Sequence, residues 1–227
     1  MSISNAEYDG INYQRLYHYR FRDTPQSSRD AIWKVIAPWI LKKMDSPRRL
    51  LDPAAGRGEF IVSAPAPKRT AVDLVNQRPG GWGSGIDFVL GDIRSINLEP
   101  SSFDGVFVSN FLVHLATQNE VANFLKRMHS LLAPGGKLAI MGPNFRYCAK
   151  EYFDCADHTL ALTHIAIKEH LAASGFIVNK VIPKFLPYSF RSRVPQSSFL
   201  VKGYLNFPPA WRIMGKRFLI IAQRSDA

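Results

Sequence analysis

The chain lacks most features that would place it outside the folded α/β proteins. It has two cysteines, Cys148 and Cys155. Two thiols make neither a disulfide framework nor a zinc site, so both are expected to be free and no metal is expected. No apolar run approaches the roughly 18 residues that span a bilayer. The opening residues, MSISNAEYDGINYQRLYHYR, contain neither an apolar signal-peptide core nor a small-residue cleavage site, which makes the cytoplasm the expected location. There is no internal repeat and no low-complexity tract. The GxGxxG fingerprint of dinucleotide dehydrogenases and the GxxxxGK[ST] phosphate loop are both absent.

Acidic residues are scarce, with 18 Asp and Glu against 29 Lys and Arg, a net charge of +11. The excess is uneven. Residues 1–49 carry 9 basic and 5 acidic side chains, residues 50–139 carry 8 and 8, and residues 140–227 carry 12 and 5. An anionic partner would therefore meet the flanks and not the neutral middle. The alternative is a solvated basic surface that serves solubility.

What is present reads as one α/β domain with appendages. The length of 227 residues supports one full core, and 46% hydrophobic with 21% charged residues is ordinary for a globular chain. Residues 28–44 place Ile32, Ile36, Trp39, Ile40 and Met44 at helical spacing, with Ser28 as N-cap and a kink expected at Pro38. Strand-length apolar runs follow at 49–52, 70–74, 86–90, 103–109 and 137–141. Between the last two, Val121, Phe124, Leu125, Met128, Leu131 and Leu132 recur at three and four, and Pro134-Gly135-Gly136 stops the helix. Such alternation predicts a parallel sheet covered by helices on both faces. A helix near 165–173 and strands at 176–182 and 217–223 complete the pattern. Residues 183–216, with Pro183, Pro187, Pro195, Pro208 and Pro209, break it and read as an insertion between the last two strands.

The ligand site of an open α/β sheet lies at the carboxyl ends of the strands. Leu50-Leu51-Asp52-Pro53-Ala54-Ala55-Gly56-Arg57-Gly58 ends the first of these strands in a turn whose glycines can let the backbone approach a nucleoside. Asp73 follows the second strand, where a carboxylate can accept ribose hydroxyls, and Asp92 follows the third, where one can accept from an adenine amino group. Taken singly, each aspartate also fits a cap or turn role.

With Ser102-Phe103-Asp104-Gly105-Val106-Phe107-Val108-Ser109-Asn110 and Leu131-Leu132-Ala133-Pro134-Gly135-Gly136-Lys137-Leu138, these motifs resemble the class I S-adenosylmethionine-dependent methyltransferases over about residues 29–182 and again at the final strand. Ala54 stands where that family usually has the first glycine. The resemblance implies a Rossmann-like α/β fold with a mostly parallel seven-stranded sheet, helices on both faces and an antiparallel last strand. It implies S-adenosylmethionine as cofactor, with Gly56 and Gly58 packing on the methionine portion, Asp73 holding the ribose and Asp92 with Ile93 framing the adenine. Asp52, Ala54, Leu74, Ser109 and Asn110 complete the expected wall. Residues 1–48 are expected to form an N-terminal helical lid and 49–227 the methyltransferase domain, with the insertion on the acceptor side.

For the acceptor, the exocyclic-amine DNA methylases need Asn/Asp-Pro-Pro-aromatic after the fourth strand, where this chain has Ser109-Asn110-Phe111-Leu112. A nucleic-acid (RNA or DNA) substrate is thus the weaker reading. Residues 141–164 and 183–188 look like a bacterial subgroup associated with cell-surface polysaccharide systems. That likeness implies methylation of a hydroxyl on a small-molecule or glycan acceptor, anionic in character; small-molecule N-methylation and a non-catalytic adapter are the alternatives. Proton removal from a hydroxyl suits histidine. The candidates, in order, are His158 (with Asp157 orienting its ring), His164 and His114; for each, capping or packing is the bland alternative. Tyr13, Tyr17, Tyr19 and Phe21, interleaved with Arg15, Arg20 and Arg22, read equally as a lid or a packed helix. In the insertion, Phe190, Arg191, Arg193, Phe199, Leu200, Lys202, Tyr204, Leu205, Trp211 and Lys216 suit an acceptor pocket better than a peripheral contact with an anionic membrane.

Overall fold

The computed structural model describes residues 7–8, 11–78, 81–188 and 197–225. Phe190, Arg191 and Arg193 of the insertion lie outside these. In chain order the elements are β1 (Glu7–Tyr8), β2 (Ile11–Asn12), α1 (Tyr13–Phe21), α2 (Gln26–Lys43), β3 (Arg49–Asp52), α3 (Glu59–Ser63), β4 (Lys68–Asp73), β5 (Ile86–Leu90) and β6 (Phe103–Ser109). These are followed by α4 (Gln118–Leu131), β7 (Leu132–Pro143), α5 (Phe145–Cys148), α6 (His164–Ala173), β8 (Phe176–Ile182), α7 (Ser198–Leu205), α8 (Pro208–Met214) and β9 (Arg217–Arg224). Seven strands form one sheet in the order β5-β4-β3-β6-β7-β9-β8. β3 to β7 pair in parallel, while β9 runs antiparallel to both β7 and β8. The expected fold is therefore present, and the order reverses between β3 and β6, the switch point where ligands bind such sheets.

Strand alternation divides the core into two layers. Leu51, Val72, Val106, Val108, Leu138, Ile140, Phe218 and Ile220 face α4 and α6. Leu50, Ala71, Phe107, Ala139, Met141, Leu219 and Ile221 face α2 and α3. The apolar stripe of α4 is buried as its spacing predicts, and Thr117 with Glu120 closes its N-terminus in a capping box. On the other face Phe107 stacks on Phe60 at 3.8 Å and meets Trp33 edge-on. Each such fully buried large side chain contributes about 1.5–3 kcal/mol.

Three expectations change. The second helix begins at Gln26 after Pro25, not at Ser28, because Arg29 turns inward and is held by Glu59 (2.8 Å) and the Thr24 carbonyl (2.8 Å). That helix packs into the core through Ile32, Trp33, Ile36, Ala37, Ile40 and Leu41, which lie against the sheet, while its Arg29 and Trp33, with Tyr13, Tyr17, Arg20 and Phe21 of α1, line the ligand face. The 183–216 segment also enters the core, where Phe185, Leu186 and Leu205 are buried and Trp211 packs edge-on against Trp39 and Phe185.

Candidate functional site

A cavity of 810 Å³ opens at the carboxyl ends of β3, β4, β5 and β6, within the roughly 300–1,000 Å³ typical of small-molecule sites. Asp52, Ala54, Gly56, Asp73, Leu74, Asp92, Ile93, Ser109 and Asn110 all line it. Asp73 organises the glycine turn: one carboxylate oxygen accepts from Gly56 N at 2.7 Å and the other from Val75 N at 3.0 Å. Burial pushes its carboxyl up despite these bonds. Asp52 is buried, and among the described residues it has no ion-pair partner. Burial pushes its pKa well up, the Ala54 N–H opposes this, and the nearby Asp73 and Glu59 add repulsion. Asn110, at φ 55, has its Oδ1 buried and, among the described residues, without a hydrogen-bond partner.

Gly58 does not line the cavity, contrary to expectation. It is glycine for packing: at φ +74, an added Cβ would lie 2.5 Å from the Trp82 ring. Gly58→Ala is expected to destabilise the fold by about 1–3 kcal/mol, read as a lowered unfolding midpoint. An unchanged midpoint would reject this packing role. Asp92 lines the cavity, but Arg94 holds both of its oxygens, through Nε at 3.0 Å and a terminal nitrogen at 2.7 Å. Burial raises the Asp92 carboxyl, and the Arg94 bonds together outweigh that and hold it below the usual range. An adenine amino group would share Asp92 with Arg94.

At the other end of the cavity lie His114 and His158, with ring centroids 5.5 Å apart. Backbone bonds impose that pairing: Thr159 N (2.9 Å) and Leu160 N (3.2 Å) donate to Val113 O, clamping the 157–160 loop onto the 3-10 turn Leu112–His114. Each ring is fixed by a carbonyl, which can only accept. His114 Nδ1 donates to Asp157 O at 2.6 Å and His158 Nδ1 to Tyr152 O at 2.6 Å, so each Nε2 carries the lone pair of the neutral ring. Asp157 thus orients His114, with its carboxylate 3.7 Å from Nδ1, and not His158. His164 does not line the cavity. It opens α6, stacks on Tyr147 and accepts from Asn144 Nδ2 at 2.9 Å, a packing role.

Burial, reinforced by His114, pulls the His158 pKa down to about 4. The unfolded chain then binds a proton that the folded chain does not, so this histidine lowers stability as pH falls from about 6.5 towards about 4. His158→Gln should flatten the acid side of the pH–unfolding profile across that window; an unchanged profile would show that His158 is not the cause.

The sequence reading missed the tie between α1 and the site. Arg20 donates to both oxygens of Asp157, at 3.0 and 2.5 Å, and the Asp157 side chain is fully buried. Tyr17, on the same helix, has its phenol pushed up by burial and by both Asp157 and Asp73. Asp157 stays below the usual range because Arg20 and His114 outweigh its burial. No sequence spacing links positions 20 and 157. The wall is balanced in charge: Arg20, Arg29, Arg57, Arg94, Lys216 and Arg217 stand against Asp52, Glu59, Asp73, Asp92, Glu120, Glu151 and Asp154.

Residues 49–140 match the family model described as "Methyltransferase domain". They are a methyltransferase domain. The cavity suits S-adenosylmethionine, the cofactor that the sequence motifs imply: among the described residues Asp52 is a buried carboxyl lacking a cation, Asn110 Oδ1 lacks a donor, and Asp73 can take further hydrogen bonds. Comparison with curated proteins gave no match. Among solved structures, the methyltransferase fold is shared with a SAM-dependent methyltransferase from Archaeoglobus fulgidus (20% identity, TM-score 0.65, covering 93% of this chain and 100% of the other). It is shared too with a chain from the complex of the Haloferax volcanii Trm112 methyltransferase activator with a methyltransferase (14%, 0.66, 94% and 97%). A third such structure is the 1,6-didemethyltoxoflavin-N1-methyltransferase of Burkholderia thailandensis (21%, 0.58, 94% and 89%).

Proposed function

We propose that the protein methylates a hydroxyl group of a small-molecule or glycan acceptor, with His114 as the proton acceptor. The carrying observation is the Arg20–Asp157–His114 arrangement at the end of the cavity beyond β6. Bound S-adenosylmethionine supplies an electrophilic methyl group on a sulfonium. A hydroxyl attacking in line must lose its proton as it reacts. With its Nδ1 on the Asp157 carbonyl, the neutral His114 ring carries its lone pair on Nε2, and the Asp157 carbonyl and carboxylate beside Nδ1 stabilise the imidazolium that forms. His158, with its depressed pKa, stays neutral and shapes the acceptor end.

In the cofactor half, Asp73 would take the ribose hydroxyls, Asp52 would meet the cationic methionine portion, and Ile93 with Asp92 would hold the adenine. Helix α1 acts as the lid: its Tyr13, Tyr17, Arg20 and Phe21 line the cavity, and Arg20 latches it to Asp157. The balanced wall favours a neutral acceptor over an anionic one, and it argues against a nucleic acid, which calls for a cationic groove. A glycan hydroxyl of a cell-surface polysaccharide remains one acceptor class within this reading. The Burkholderia relative, an N1-methyltransferase, makes small-molecule N-methylation the second reading.

The test is methyl-labelled S-adenosylmethionine offered with matched panels of phenols, sugars, amines and RNA, with the labelled atom located by mass spectrometry. Label on oxygen supports the proposal. Label on nitrogen, or in RNA, overturns it.

A further inference from the structure

The inner face of the α7–α8 pair is fully accounted for. Leu205 is buried, Val201, Tyr204 and Trp211 pack towards α2, Trp211 Nε1 donates to Tyr204 O at 2.7 Å, and Tyr204 Oη donates to Phe185 O at 2.6 Å. The outer face is not. Phe199 (80% exposed), Leu200 (49%), Phe207 (60%), Ile213 (84%) and Met214 (43%) all reach solvent. A helix that merely faced water would carry polar residues there, and apolar side chains gathered on one short segment mark a contact surface.

The charge on this segment is of one sign. Between Glu169 and Asp226 the sequence contains no acidic residue. Lys202 and Arg212 lie exposed among the apolar side chains, and among the described residues neither has an ion-pair partner. The cavity wall is balanced, and of the basic excess of the C-terminal third Lys202 and Arg212 lie outside that wall. A second copy of the chain would bring cations against cations. A nucleic acid would use Lys202 and Arg212 but leave Phe199 and Ile213 in water. An anionic bilayer surface takes both, with the apolar side chains at the acyl boundary and the cations among the headgroups. No helix among the described residues is long and apolar enough to cross a membrane, so the contact would be peripheral. Met214 also lines the cavity, so the surface is continuous with its rim.

We propose that the α7–α8 pair docks the protein on an anionic lipid surface, with the acceptor end of the cavity at the bilayer. The test is co-sedimentation of the full chain with phosphatidylcholine vesicles, with and without phosphatidylglycerol, and no acceptor present, so its outcome is independent of which atom is methylated. Binding is expected to the phosphatidylglycerol vesicles and to weaken at high salt. Phe199→Ser with Ile213→Ser should reduce it about tenfold or more, with the affinity for S-adenosylhomocysteine and the unfolding midpoint unchanged. Lys202→Glu with Arg212→Glu should abolish the preference for phosphatidylglycerol, and this variant decides the matter should the first fail to fold. Absent or equal binding to the two vesicle types overturns the proposal. So does a dimer in sedimentation velocity that Phe199→Ser and Ile213→Ser dissolve, or binding to RNA in place of vesicles.

Discussion

Asp73→Ala is expected to weaken S-adenosylhomocysteine binding by about a hundredfold or more in calorimetry. A hydrogen bond to a charged group contributes about 1.5–3 kcal/mol, and two ribose hydroxyls would lose theirs together. A second loss adds to this. The Asp73 carboxylate also holds Gly56 N and Val75 N, so its removal frees the turn that must approach the ligand. Asp73→Asn separates the two effects. Its oxygen can still accept one bond, but its amide nitrogen donates where Gly56 N or Val75 N already donates, so an intermediate affinity is expected. Wild-type affinity in Asp73→Ala would place the ribose elsewhere.

His114→Ala should lower kcat by about 10²–10⁴-fold, the usual contribution of a general base, while the affinity for S-adenosylhomocysteine stays unchanged. His158→Gln should cost far less, because a ring whose pKa is pulled to about 4 has little drive to take a proton. The order therefore differs from the sequence-based ranking, which put His158 first because Asp157 precedes it. Adjacency in sequence proved a poor guide. Successive side chains of a loop point apart, and Asp157 turns inward to His114, forty-three residues earlier, and to Arg20. A kcat that survives His114→Ala would point to an acceptor, such as an amine, that needs no strong base.

Other elements were legible to different degrees. The strands at 86–90, 103–109 and 176–182 and the α4 stripe were readable because a half-buried surface imposes its own period on the sequence. The glycine turn was readable as a turn, but the role of each glycine was not. Gly56 lines the cavity, whereas Gly58 is required by the ring of Trp82, twenty-four residues on. His164 is a candidate from the sequence as a histidine suited to removing a proton; the structure turns it towards Asn144 and Tyr147 instead. The 183–216 segment, read as an insertion, supplies core residues and cavity rim alike, since Phe185 and Leu205 pack on α2 while Tyr188 and Met214 reach the ligand face.

The sequence by itself determined the sheet, its two apolar layers and the positions of the carboxylates that end β3 and β4. Each of these depends on local periodicity and on turns a few residues long. Only the tertiary structure decided what stands across the cavity from those carboxylates. The Arg20–Asp157 pair, the tautomers of His114 and His158, and the outward face of α7 and α8 arise from contacts between distant segments. Such contacts leave no spacing in the chain, because the free energy that fixes them comes from burial and from hydrogen bonds between segments that only the folded sheet brings together.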